Sequence, residues 1–385
     1  MPSPAQSRAA VSALFFLSGL CFASWASRIP DISRRLDLSE GELGQLLLAM
    51  PVGSVLALPL AGWLTDTYGS RIVTVVSAAL YAIGLPLLGW VPSPWALGAG
   101  LVFFGFGGDL LNIGVNAQAL EVQDAYSSRS IMGSFHGLWS LAGFAGGLIA
   151  TWLIGWRQPP LTHFIGVAGA LLLLLLIARP YLPRAAGREA GGGLVLRWPD
   201  WPLLRLGLIA LFGLMCEGCM FDWSGVYFQQ VVQVEKAWVT SGYVAFMGSM
   251  ALGRFGSDLL TTHLGARRVL QLSSALICAG LLTAVLFPTL VPALIGFLVV
   301  GFGTSSVIPL TYTAAGRSGT LSPGAALALV TTIGFFGFLI GPPLIGFLAE
   351  WSSLRVSFTL VALIGVGIGV LAPGIGQETK NPAGD

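Results

Sequence analysis

Residues 216–223 read CEGCMFDW, and they place two carboxylates, Glu217 and Asp222, inside an apolar run of about 203–232. A charge at a bilayer centre costs about 2.5–3.5 kcal/mol on insertion scales, so two in one helix imply partners or an aqueous path. Five residues apart is roughly 140° around a helix, so the pair cannot point squarely at one spot unless Gly218 or Gly225 bends the chain. Their roles are therefore expected to divide. Glu217, the deeper, is expected to hold a proton or a polar solute. Asp222 and its neighbour Trp223 lie nearer the outer end, where Asp222 is expected to pair with a cation, Arg28 being the best candidate. A purely structural ion-pair network is the alternative.

A second set lies upstream. Asp109, Asn112 and Asn116 fall at i, i+3 and i+7, on one helical face. A carboxylate flanked by amides can bind hydroxyls, and can titrate where it is desolvated. Hydrogen bonding that only holds helices together is the alternative. In the next run His136 and Ser140 share a face, with Trp139 beside them. His136 is a candidate proton relay or solute donor, against a histidine bonded to a neighbouring backbone. Trp25, Trp139 and Trp223 also lie within runs. An indole face stacks on the C–H face of a sugar or cyclitol; core packing is the alternative for each.

These side chains must be held by membrane-spanning helices. The 385 residues are 55% hydrophobic and 9% charged, with a mean hydropathy of +0.82, where a soluble domain carries about 25% charge. That composition implies an integral membrane protein with many spans, the lipid bilayer being its constant partner. The net charge of +2 is spread over short loops, so no nucleic-acid partner is expected. Cys21, Cys216, Cys219 and Cys278 all sit in apolar runs, which gives a disulfide framework no footing. Cys216-x-x-Cys219 has the form of a redox or metal pair, but small packing residues are the expected reading in such a run. His136, His163 and His263 fall in different segments without ligand spacing, so no metal, cofactor or enzymatic centre is expected. No G-x-x-x-x-G-K-[ST] phosphate loop occurs, which points to gradient energy rather than ATP. The first run is too long for a cleavable signal and reads as a spanning helix.

Apolar runs of spanning length lie near 9–27, 42–64, 72–91, 95–121, 131–155 and 161–179, then near 203–232, 237–260, 269–288, 290–314, 323–349 and 354–374. The expected fold class is all-α, with twelve transmembrane helices in two pseudo-symmetric six-helix bundles. The bundles are expected at 1–180 and 203–385, joined by a polar Gly/Arg-rich linker at 181–202. One register relates the halves. LVFFGFG at 101–107 matches FLVVGFG at 297–303, and the same shift pairs Gly69 with Gly265, Arg71 with Arg267, Ser77 with Ser273 and Gly84 with Gly280. Parallel six-helix repeats are a transporter architecture, with the solute site expected at the interface of the halves. With both termini and the linker on one side, thirteen basic residues collect there, against six on the other: Arg28, Arg34, Arg35, Arg157, Lys236 and Arg355. Both termini are therefore expected to be cytoplasmic, in the inner membrane of a bacterial cell.

The loop after the second run reads GWLTDTYGSR (62–71), and its mate after the eighth reads GRFGSDLLTTHLGARR (253–268). They resemble the cytoplasmic G-x-L-x-D-x-x-G-x-R signature of the major facilitator superfamily. The first copy keeps Gly62, Asp66, Gly69 and Arg71. The second has Thr262 where the Asp is expected, leaving Asp258, with Arg254 and Arg267, to take over. A helix-end carboxylate with a nearby Arg can lock one conformation and release another, so these residues and Arg28 are the expected gating set.

SWASRIP (24–30), NIGVNAQALEV (112–122), FHGLWSLAG (135–143), CEGCMFDW (216–223), IPLTYTAA (308–315) and GFFGFLIGPPLIGFL (334–348) resemble the MosC/YbjJ-like branch of that superfamily. Where that branch carries a Glu one turn before the Asn of its fourth helix, this chain has Asn112, with Asp109 three residues upstream. The resemblance implies the fold and the transporter class; the repeat and three mid-membrane carboxylates, Asp109, Glu217 and Asp222, add the expectation of a monomeric secondary transporter for a small-molecule substrate, a polar solute such as a sugar or cyclitol. Protons are the expected coupling ion, by symport, with sodium the alternative. An exporter of drugs or metabolites against protons, and a non-transporting membrane sensor, remain the alternatives.

Overall fold

The computed structural model describes residues 2–124, 131–183, 200–318, 321 and 323–374; the side chains of 59, 62, 66, 124, 132, 133, 258, 323–325 and 328 stand outside that description. The helices in order are α1 (Pro4–Arg35), α2 (Glu40–Tyr68), α3 (Ser70–Trp90), α4 (Pro94–Asp124), α5 (Met132–Gly155), α6 (Pro160–Ala178), α7 (Trp201–Gln230), α8 (Ser241–Leu264), α9 (Ala266–Leu286), α10 (Leu290–Thr304), α11 (Val307–Gly316), α12 (Pro323–Trp351) and α13 (Leu354–Leu371). Helices α10 and α11 make up one span, Leu290–Gly316. Among the described residues eleven spans are long and apolar enough to cross a bilayer, and α8, with 24 residues, is a twelfth of spanning length that carries Arg254. The fold is all-α with twelve membrane-length segments.

Local chemistry sets the starts. Ser3 with Gln6 and Ser39 with Glu42 form reciprocal capping boxes at α1 and α2. Asp200 caps α7 through the Leu203 amide at 3.1 Å, and Ser353 caps α13. Gly69 closes α2 and opens α3 with φ 81° and ψ 149°, and Gly265 does the same between α8 and α9 with φ 77° and ψ 152°. Only glycine adopts that backbone without strain, so the two glycines matched in sequence also match in conformation.

The chain forms two compact units. One comprises α1 to α6 with the segment Val234–Val244; the other comprises α7 and the chain from Ala245 onward. The expected linker, 181–202, lies mostly outside the described residues. Each unit uses the same pairings. In the first, α1 packs on α5 and α6, α3 on α4 and α6, and α2 on α4; in the second, α7 packs on α12 and α13, and α9 on α10 and α13. The close approaches repeat too. A Cβ on Gly105 would run into the Met50 carbonyl of α2, and one on Gly301 into the Phe246 carbonyl of α8. At the ends of α3 and α9 an arginine meets the equivalent terminal carbonyl: Arg35 Nη1 donates to Gly89 O at 2.5 Å, and Arg355 Nε and Nη2 to Val285 O at 3.0 and 2.8 Å. Cations there also complement the helix dipole.

Two helix boundaries differ from the apolar runs. Helix α1 runs to Arg35, past the apolar run of 9–27, so Arg28, Arg34 and Arg35 are all helical. Asp31 accounts for this, because it takes Arg28 and Arg34 at i−3 and i+3, each at 2.7 Å, and carries the helix past its apolar stretch. Helix α12 passes through Pro342 and Pro343 without ending there. The run expected over 290–314 is interrupted at Ser305 and Ser306, between α10 and α11. There the Thr304 and Ser305 hydroxyls donate back to the Gly301 and Phe302 carbonyls at 3.2 and 2.7 Å, offering the backbone an alternative to the helical ladder.

Candidate functional site

Helix α7 carries Glu217 and Asp222 into the interior of the second unit, where they are 4% and 7% exposed. Helix α8 supplies the partner of Glu217. The Arg254 Nη2 lies 3.6 Å from Glu217 Oε1. Charge-assisted hydrogen bonds run about 2.7–2.9 Å, so this is an ion pair without a hydrogen bond; Glu217 Oε1 has no hydrogen-bond partner among the described residues. The approach of α8 is prepared by Gly253, whose absent side chain leaves room for Ser305 at the α10–α11 break. Tyr312 of α11 stands within electrostatic range of Glu217, with its hydroxyl against Thr331 of α12. Side chains of α8 and α11 thus stand toward one buried carboxylate of α7.

No ion pair of Asp222 is found among the described residues. Arg28, the cation expected to answer it, is engaged inside the first unit, donating to Asp31 at 2.7 Å and to His163 Nδ1 at 3.4 Å. Trp223 is fully buried in the second unit and Trp25 is 1% exposed in the first, so both pack in this arrangement rather than offer an open face.

In the first unit the α4 face is continuous. Asn116 Nδ2 donates to the Asn112 carbonyl at 2.8 Å and to Asn112 Oδ1 at 2.9 Å. The Asp109 carboxyl meets Asn112 and the Ser54 hydroxyl of α2. Asn112 is exposed, with Asp109 and Asn116 half-buried, so the strip keeps polar capacity for a further ligand. On α5, His136 is exposed and stands edge-on to Phe15 at 5.4 Å, while Trp139 lies against Phe22 at 5.8 Å. The buried Ser140 hydroxyl donates to the His136 carbonyl at 3.2 Å.

In the gating set, Arg71 Nη2 donates to the Arg179 carbonyl at 2.6 Å, tying the α2–α3 turn to the end of α6. Beside it Ser70 donates to Glu121 Oε1 at 2.5 Å and accepts from Gln118 at 2.6 Å. Arg267 is exposed at the start of α9. The side chains of Asp66 and Asp258 lie outside the described residues. Sequence reasoning missed Ser54, Ser70, Gln118, Glu121 and Asp31. Only Asp31 had a local signal, its spacing between Arg28 and Arg34.

Cys216 and Cys219 are free thiols with no exposure; the Cys216 thiol points at the Val361 carbonyl, 3.9 Å away. Among the described residues no group of His, Cys, Asp and Glu could hold a metal ion.

The family model described as Major Facilitator Superfamily matches residues 11–322. An uncharacterized MFS-type transporter of Yersinia pestis is 36% identical over 352 residues, 91% of each chain. The membrane protein MosC of Rhizobium meliloti is 30% identical over 361 residues, covering 93% of this chain and 87% of that one. Among solved structures, the nucleoside transporter NupG superposes with a TM-score of 0.73 at 16% identity, covering 95% of this chain and 98% of its own, a likeness of fold. The chain belongs to the major facilitator superfamily and is a multi-pass membrane transporter.

Proposed function

We propose that the protein is a secondary transporter that moves a small polar solute, of the sugar or cyclitol kind, by alternating access coupled to protons. One observation carries the reading: the buried Glu217 of α7 facing Arg254 of α8 at 3.6 Å, with Tyr312 beside it. A carboxylate at membrane depth that shares one loose cation can be neutralised by a proton without dismantling a hydrogen-bonded network. The polar strip of Asp109, Asn112 and Asn116, with Ser54, supports a hydroxyl-rich solute, because it offers a carboxylate and amides along one face. His136, Trp139, Asp222 and Trp223 complete the proposed solute and proton set, and Arg28, Asp66, Arg71, Arg254, Asp258 and Arg267 the gating set. The excess of basic residues on one side supports cytoplasmic termini in a bacterial inner membrane. In this reading the two six-helix halves, 1–180 and 203–385, form one carrier unit that works as a monomer.

The test is transport in proteoliposomes. A panel of labelled sugars, cyclitols, amino sugars and sugar acids is offered with an inward proton gradient. Accumulation that collapses with a protonophore, and that is lost in Glu217→Gln while solute counterflow survives, supports the reading. Accumulation by Glu217→Gln at the wild-type level overturns the coupling role. Uptake of lipophilic cations in place of polar solutes overturns the substrate class.

A further inference from the structure

We propose that a groove in the first unit, between α1, α5 and α6, binds an anionic phospholipid, with one acyl chain lying along α1 and the headgroup at Arg8. The groove has a volume of about 680 Å³, within the range of about 300–1,000 Å³ typical of small-molecule sites. Small side chains create it, Ala9 and Ala13 on α1 and Ala170 on α6, and Phe16, Leu138 and Leu173 wall it. Leu173 and Ile177 are exposed on a spanning helix, so this side of the unit faces lipid. Ser12 is the one polar side chain along the groove. A water needs two to four polar partners, so hydrocarbon is the medium that fills such a trough.

Length selects the occupant. Helix α1 lines the groove from Ala9 to Leu17, a rise of about 12 Å. The hydrocarbon of one leaflet is about 15 Å deep and that of the bilayer about 30 Å. An acyl chain of the leaflet on the N-terminal side therefore fits end to end, whereas a spanning partner helix would be seated along less than half its length. Charge selects the headgroup. Arg8 lies one turn before Ser12 on α1, and Ser134 one turn before Leu138 on α5; Arg8 Nη2 meets Ser134 Oγ at 3.5 Å. This pair bounds the α1–α5 side of the groove. On the α1–α6 side, the Ser7 hydroxyl donates to the carbonyl of Tyr181, just past α6, at 2.9 Å. Side chains of α1 lean toward its N-terminus, which carries the Arg8 guanidinium to headgroup level at the mouth of the groove. Helix α5 starts at the same end, and its N-cap, Ile131, makes no side-chain capping bond, so the positive end of a helix dipole adds to the field. Basic residues at a membrane surface favour anionic over zwitterionic headgroups. The site does not depend on the solute or on the coupling assigned to Glu217.

The experiment places the full-length protein in nanodiscs of dioleoyl phosphatidylglycerol and dioleoyl phosphatidylcholine in equal amounts. One lipid at a time carries a photoactivatable group in its acyl chain, and mass spectrometry maps the adducts. Phosphatidylglycerol adducts are expected to concentrate on the α1 and α6 peptides that line the groove, at about five times the phosphatidylcholine level. Arg8→Gln should erase that preference and leave the chain in place. Ala13→Trp, which fills the groove, should remove the adducts of both lipids there; Ala170→Phe, at an exposed position on α6, stands in should Ala13→Trp not fold. The proposal is overturned if adducts scatter evenly over the lipid-facing helices, or if the two lipids label the wild-type groove equally. It is also overturned if the groove-filling variants keep the wild-type pattern. Dimers cross-linked through α1 would put a second copy in the groove and overturn it as well.

Discussion

Arg254 stops 3.6 Å short of Glu217, close enough to stabilise its charge and too far to hydrogen-bond it. The two members are unequally buried: Glu217 is 4% exposed, and the Arg254 side chain 21%. Removing one partner of a fully buried pair costs about 3–5 kcal/mol; the partial exposure of Arg254 brings the expectation down to about 1–3 kcal/mol. Arg254→Gln should be the more destabilising single change, since it strands the deeper charge. Glu217→Gln leaves a cation that can reach solvent. The double variant should be less destabilised than the sum of the singles by at least about 0.5 kcal/mol, the signature of contact. Thermal melts of the four proteins in one detergent measure this, and strict additivity would sink the pairing.

The glycines at the close approaches make a second prediction. A Cβ on Gly105 or Gly301 would meet a backbone carbonyl of the neighbouring helix, which cannot swing aside as a side chain can. Gly105→Ala and Gly301→Ala should each cost about 1–3 kcal/mol. Gly166→Ala and Gly169→Ala on α6, where nothing lies within 4 Å, should be neutral or slightly stabilising. Melting midpoints and expression levels of the four variants decide it. Equal effects at all four positions would contradict the repeated α2–α4 and α8–α10 packing.

Much of this fold is legible in the sequence because a bilayer leaves few options. Runs of about twenty apolar residues must be helices, as every backbone group has to be satisfied within its own segment. The match of Gly69 with Gly265 was legible for a backbone reason, since one unusual φ/ψ pair admits little else. What stayed hidden was long-range. That Ser54 would meet Asp109, or that Arg254 would reach Glu217, depends on how α2 packs on α4 and α8 on α7, and no local pattern encodes a partner 37 or 55 residues away. The break at Ser305 was hidden by the apolar residues on both sides.

The thiols give a third prediction. Cys21, Cys216 and Cys219 are fully buried, whereas Cys278 is partly accessible. Reactivity needs a water-exposed thiolate, so the native protein should react with at most about one equivalent of a small maleimide and with the remaining thiols only after denaturation. Mass spectrometry should place the first adduct on Cys278. Rapid labelling of Cys216 or Cys219, or a stoichiometric metal that their Ala variants release, would overturn their reading as packing residues.

The α4 strip gives the last prediction. Asn112 is the hinge of that strip: it accepts from Asn116 at 2.9 Å and meets Asp109 on its other side. Asn112→Ala should therefore disturb both neighbours, whereas Asn116→Ala removes one donor and leaves Asp109 with Ser54 and Asn112. If the strip binds solute hydroxyls, each lost hydrogen bond is worth about 0.5–1.5 kcal/mol, or about 2- to 13-fold in affinity. Asn112→Ala should show the larger loss, and Ser54→Ala a smaller one with the same sign. The effect should fall on apparent KM rather than on the melting midpoint, because Asn112 is exposed and contributes little to packing. Uptake kinetics beside thermal melts separate the two. Unchanged KM with a lowered midpoint in all three variants would return the strip to the role of helix-to-helix adhesive.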